Sequence, residues 1–96
     1  MIEVQGEADR LDDVIAYLRR EVIPRAREMR GFCGGQWLVD RREGLVVGIA
    51  LWETAEDVEA SAEAMRRLRE HGADLVGGSV LSVRVFEVVA EVARPA

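Results

Sequence analysis

Ninety-six residues are enough for one domain with a modest core and too few for two. The 49% apolar fraction fits an ordinary globular chain, with no low-complexity run to argue for disorder. A formal net charge of −5 speaks against nucleic acid or an acidic membrane surface as a partner, and a single cysteine, Cys33, excludes an internal disulfide or a multi-cysteine zinc site.

All 13 basic residues are Arg, and neither Lys nor Asn occurs. The bland explanation is a G+C-rich coding sequence. The opening MIEVQGEADR is acidic and has no apolar core of a signal peptide. No apolar run reaches the ~20 residues that span a bilayer. The sequence alone therefore predicts a cytoplasmic chain with no membrane partner, forming one domain over residues 1–96.

In chain order, Ile2 to Gln5 reads as a short strand, and Gly6-Glu7-Ala8 as its exit loop. Asp9 is the expected N-cap of a helix from about Arg10 to Arg30, with Asp12 and Asp13 favouring the helix dipole. Leu11, Val14, Ile15, Leu18, Val22 and Met29 fall three or four apart and give it one apolar stripe. Pro24 interrupts the stripe. It removes the hydrogen bond to the Arg20 carbonyl and predicts a kink in the last part of the helix. Gly31 is the expected residue after the C-cap.

The next stretch organises the chain. Phe32–Val39 and Leu45–Trp52 are two apolar runs joined by Asp40-Arg41-Arg42-Glu43-Gly44, a β-hairpin whose Gly44 can take a positive φ. Both runs are apolar on both faces, so the sheet is expected to be covered on both sides. With four residues outside the ladder, Cys33, Gly35, Trp37 and Val39 share a face with Val46, Gly48, Ala50 and Trp52.

A second helix begins at Thr54, with Asp57 completing a variant capping box. Val58, Ala62, Met65 and Leu68, with Ser61 beside them, form its stripe, and Gly72 is expected to end it. Ala73–Ser79 reads as a loop. Val80 to Val92 reads as a long last strand, and Arg94-Pro95-Ala96 as a frayed end. The fold class is therefore α+β. The β-α-β-β-α-β order is that of a ferredoxin-like split βαβ unit, a four-stranded antiparallel sheet with both helices on one face. The other face would leave roughly 400 Å² bare in projection, near the upper limit for a soluble monomer. The expected cover is a second copy, sheet against sheet, with the last strand reaching across.

The segment VIPRAREMRGFCGGQWLVDRREGLVVGIALWETAEDVEAS resembles the dimeric α/β-barrel proteins of the antibiotic-biosynthesis-monooxygenase type. The matching features are Pro24, the Gly31-Phe32 entry to the second strand, the Asp40 to Gly44 turn and the Leu51-Trp52-Glu53-Thr54 exit. The resemblance covers about Asp9 to Phe86. It implies a dimeric barrel and, for function, a cofactor-free monooxygenase or isomerase acting on an aromatic or polyketide-like compound. Members of that group resemble one another in using an Asn of the first strand, a Trp on the second helix and a His or Tyr. This chain has no Asn, and the Trp position falls near Ser61. His71 falls near the position of a haem-ligating histidine. A favourable charge–dipole contact at a helix end is the alternative for His71.

Trp37 and Trp52, set among glycines and an alanine, leave room for a small apolar or aromatic ligand, and the same pattern describes large–small packing in a core. Tyr17 sits beside the first helix's stripe, as a surface phenol or an acid. Cys33 reads as a small buried hydrophobe. No cofactor or metal is expected, since neither Gly34-Gly35 nor Gly77-Gly78 matches a phosphate loop. Three readings stand: a small-molecule enzyme, a non-catalytic ligand-binding module and a purely structural homodimer.

Overall fold

The computed structural model describes residues 1–92. The expected frayed end, Arg94 to Ala96, lies outside the described residues. The first apolar run forms β1 (Ile2–Gln5). A 3₁₀ turn over Ala8–Arg10 then leads into α1 (Leu11–Tyr17). Asp9 lies inside that turn, where it caps nothing: no side chain caps α1, whose N-cap position is Arg10. Asp12 accepts both guanidinium nitrogens of Arg41 at 3.2 Å. It thereby ties the start of the helix to the hairpin turn.

Pro24 acts through the turn before it. After α1 the chain makes a π turn, Leu18–Val22, before resuming as α2 (Ile23–Glu28). The Ile23 N–H donates to the Leu18 carbonyl, five residues back. A proline ring in a regular α-helix crowds the carbonyl four residues earlier, and the wider π turn relieves that crowding without ending the helix. The helix ends at Glu28, two residues sooner than the pattern predicts, because Met29 turns extended. Arg30 and Gly31 are drawn instead to the start of the second helix. Arg30 Nε pairs with Asp57 Oδ1 at 3.1 Å, and the Gly31 carbonyl accepts from Glu53 N–H at 2.8 Å. Gly31 has φ +82°, and a Cβ there would overlap the Asp57 carboxylate. No other residue fits.

The hairpin strands are β2 (Phe32–Asp40) and β3 (Leu45–Trp52). Their ladder pairs Gly35 with Ala50, Trp37 with Gly48, and Val39 with Val46. Asp40 closes the turn: its Oδ1 accepts from the N–H groups of Arg42 and Glu43, and Gly44 has φ +70°. A bulge removes Cys33 from the ladder, so Phe32 faces Trp52, and Cys33 is an exposed free thiol and not a core residue.

Helix α3 (Ala55–Leu75) starts as its sequence predicts, with Thr54 Oγ1 accepting from Asp57 N–H at 3.1 Å. Its buried row is Asp57, Ser61, Leu68, Gly72 and Ala73, whereas Ala62 is exposed. Gly72 lies inside the helix. Its burial follows from a crossing with α1: a Cβ there would meet the Tyr17 ring at 3.5 Å and Val14 Cγ2 at 3.6 Å, ordinary contact distances that an alanine would also satisfy. The helix ends three residues later in a Schellman motif, with Gly77 N–H on Asp74 O and Gly78 N–H on Ala73 O.

The last strand, β4 (Ser79–Val83), is shorter than its pattern predicts. Residues 84–92 adopt no regular structure. Val85, Phe86, Val88, Val89 and Val92 are between 58% and 95% exposed. The pattern of a strand is present there, but the observed ladder with β1 involves only Ser79–Val83. The sheet is antiparallel in the order β2-β3-β1-β4. Leu11 and Val14 of α1, Ala73 of α3 and Val76 just beyond it pack with Val4 and Val46 into one core on one face of the sheet. Among the described residues no helix is long and apolar enough to cross a membrane.

Candidate functional site

Two grooves flank the helical layer, and they divide the candidate residues between them. The first runs between the π-turn helix and β2, the edge strand. It has a volume of about 530 Å³, within the range of small-molecule sites. Trp37 forms its floor. The indole lies along two glycines: a Cβ at Gly48 would stand 2.8 Å from its Nε1, and one at Gly35 would stand 3.2 Å from its Cη2. Phe32 closes one end, with its ring edge-on to Trp52 at 5.4 Å between centroids and 70° between planes. Trp37 therefore lines the groove, while Trp52 stands behind Phe32 and braces it.

The opposite wall comes from Ile15, Arg19, Ile23 and Arg27, each four residues after the last. In an α-helix each such step overshoots one turn by about 40°, so three steps would wind the row about 120° around the axis. The π turn between Leu18 and Val22 takes up the surplus, since its bonds reach one residue further back. Ile23 and Arg27 thus stay over the groove. Arg19 and Arg27 make no ion pair among the described residues, and no carboxylate, imidazole or phenol lines this groove.

The second groove lies between α1 and α3, with a volume of about 590 Å³. Here Tyr17 and His71 meet, their ring centroids 4.9 Å apart and their planes tilted by 56°. The Tyr17 hydroxyl donates to the Leu68 carbonyl at 3.0 Å and joins the two helices. Burial pushes its phenol above the ordinary value, Glu21 adds to that and Arg25 opposes it. Part of the rim is paired, Arg25 with Glu21 at 3.4 Å and Arg67 with Glu63 at 3.3 Å, while Arg20 and Asp13 make no ion pair among the described residues. Hydrogen bonds from Arg66 first, and from Arg67 second, hold the Glu63 carboxyl at about 2. Tyr17 and His71 are thus a helix–helix contact at a charged rim, remote from Trp37.

Two polar groups are buried in α3, and both are accounted for locally. Asp57 is held below the usual carboxylate range by hydrogen bonds from Thr54 and then Arg30. Ser61, where the resemblance would set a Trp, donates to the Val58 carbonyl at 2.9 Å. The Cys33 thiol is pushed up, first by lost hydration and then by the Glu53 carboxylate, with Asp57 and Glu91 adding to it. That is the opposite of what a nucleophile needs. Among the described residues no three His, Cys, Asp or Glu side chains converge to hold a metal ion.

The sequence pattern singled out both indoles but not Arg19 and Arg27. The available signal was the i,i+4 row ending beside Pro24, which becomes readable once the π turn is known.

Over 87 residues the chain is 34% identical to an uncharacterised protein of Mycobacterium tuberculosis, Rv2557, a match covering 91% of this chain and 38% of that protein. A second uncharacterised protein of the same organism, Rv2558, is 33% identical over 76 residues, covering 79% of this chain and 32% of its own length. The chain thus spans less than half the length of the curated relatives it matches. No family model matches it, and no solved structure does.

Proposed function

We propose that this chain is a non-catalytic module that binds a small aromatic or apolar molecule in the Trp37 groove, acting as a homodimer of the ferredoxin-like, dimeric α/β-barrel kind. One observation carries the ligand reading: an edge-strand indole is laid over two glycines and faces a helix row with vacant space between. A packed core would have filled that space with side chains. The absence of any acid–base group from the described lining favours binding over turnover, since Arg stays protonated and cannot shuttle protons at neutral pH. The enzymatic reading, a cofactor-free monooxygenase or isomerase on an aromatic or polyketide-like compound, would use the same groove and would have to draw a proton acceptor from the substrate itself.

The dimer is supported by the second sheet face. Leu45, Val47, Ile49 and Leu51 line it around Glu3, Leu38 and Leu81 are 46% and 57% exposed, and Val85, Phe86, Val88, Val89 and Val92 in the segment beyond β4 are exposed and join no ladder among the described residues. A second copy would cover the face and offer that segment a strand to pair with. The strand order and the position of both helices on one face agree with the barrel type. Thermal-shift screening with planar aromatic compounds tests the ligand reading. Stabilisation of the wild type and its loss in Trp37→Ala is the expected result. A flat response across such compounds would overturn it.

A further inference from the structure

We infer that the ligand of the Trp37 groove carries an anionic group, of the carboxylate or sulfonate kind, on a planar aromatic body, with Arg19 and Arg27 as its counter-charges. This rests on reading the groove as a ligand site.

The chain is acidic overall, with 18 Asp and Glu against 13 Arg, yet this groove is lined by two arginines and no acid. Six arginines, Arg10, Arg25, Arg30, Arg41, Arg66 and Arg67, each pair with a carboxylate at 3.5 Å or less, while Arg20, Arg42, Arg69 and Arg84 make no such pair among the described residues and stand outside this groove. Arg19 and Arg27 are left without a partner among the described residues, and the π turn brings both to the wall over the groove. Arg19 and Arg27 are exposed at the mouth of the groove, where guanidinium groups bind a carboxylate or sulfonate by paired, charge-assisted N–H donors. Trp37, Phe32 and the two isoleucines supply the flat apolar contact.

The experiment uses two probes that differ only in charge, 8-anilinonaphthalene-1-sulfonate and N-phenyl-1-naphthylamine. In a Trp52→Phe background Trp37 is the sole indole; because energy transfer from it reaches a probe anywhere on a domain of this size, only the part of each probe's binding that Trp37→Ala removes is assigned to this groove. The sulfonate probe is expected to bind about tenfold more tightly than the neutral one. Arg19→Gln with Arg27→Gln should abolish that difference and leave the neutral probe's affinity within about twofold. Equal binding of the two probes, or a sulfonate affinity unmoved by the double substitution, overturns the inference and leaves the groove standing as a neutral site. If neither probe quenches Trp37, the ligand reading falls and this inference falls with it.

Discussion

Along β3 the two faces of the sheet are built from the same apolar residue types and have opposite fates. Val46 and Val47 are neighbours on β3, yet Val46 is 3% exposed under the helices while Val47 stands on the face they do not reach. The helical face is not uniformly filled either: it is tight at Val4, Val46 and Val76, and opens along β2 where Trp37 lies over glycine. The other face carries Leu38, Leu45, Val47, Ile49 and Leu51 without a cover, and is interrupted by Glu3 beside Val47, whose carboxylate accepts from Ser82 Oγ at 3.4 Å. Hydrophobicity alone therefore does not distinguish a core from a binding surface. The covering layer does, and here two helices cover part of one face.

The sharpest way to break the comparison is a charge on each face in turn. Val46→Asp puts an uncompensated carboxylate into the core, a penalty of several kcal/mol. That approaches the whole stability of a domain of this size, about 5–15 kcal/mol. No cooperative thermal transition is expected in circular dichroism. Val47→Asp should keep the native spectrum and give a monomer in size exclusion with light scattering, because a two-fold contact would carry the charge twice. A Val47→Asp protein that stays dimeric would mean that the open face is not the contact.

A smaller effect is expected where the covered face loosens. Gly48→Ala places a methyl 2.8 Å from Trp37 Nε1. The indole must shift toward the helix, at about 1–3 kcal/mol, and the groove shrinks. The measurable result is a lower melting temperature together with weaker quenching of Trp37 by an aromatic probe. Unchanged probe affinity in a destabilised protein would separate Trp37 from the site.

Local signals made much of this legible. Asp40 and Gly44 mark the hairpin turn and hence the ladder that puts Trp37 opposite Gly48, and Thr54 marks the start of α3. What escaped is tertiary in origin. Gly72 reads as a helix end because glycine is a poor helix former, and it lies inside α3, where the Tyr17 ring crosses it. Asp57 reads as a capping-box acid and Ser61 as a residue beside the apolar stripe, and both are buried because Arg30, Gly31 and a local carbonyl satisfy or shield them. The pattern of Val80 to Val92 is that of a strand throughout, but the observed ladder with β1 involves only Ser79–Val83, followed by one bond from Arg84 N–H to the Met1 carbonyl at 2.8 Å. The grouping of Tyr17 and His71 with the indoles had no basis in spacing, because the two helix faces cannot be oriented until the crossing at Gly72 is known.

The smallest expected effect concerns how the covering layer is pinned to the sheet. Asp57 joins three parts: its N–H bonds the Thr54 cap, its carboxylate takes Arg30 from the end of the first helical unit, and its side chain fills the space that a side chain at Gly31 would need. Hydrogen bonds from Thr54 and then Arg30 hold its folded-state pKa below the ordinary carboxylate value. The folded state thus binds the proton less readily than the unfolded one. The contribution is present in full above the unfolded carboxylate range and is lost as pH falls below it. Wild-type melting temperature should therefore drop below about pH 4. Asp57→Asn keeps the shape and removes the charge. It should lower the melting temperature by a few degrees at pH 7, the scale of a lost charge-assisted hydrogen bond, and should fall less steeply than the wild type between pH 4 and pH 2. Part of the wild-type slope will persist, because Glu63, held at about 2 by Arg66 and Arg67, titrates in the same window. Parallel acid limbs in wild type and variant would show that Asp57 is a cap alone, and that the first helical unit is held to α3 by the Tyr17 crossing and not by its carboxylate.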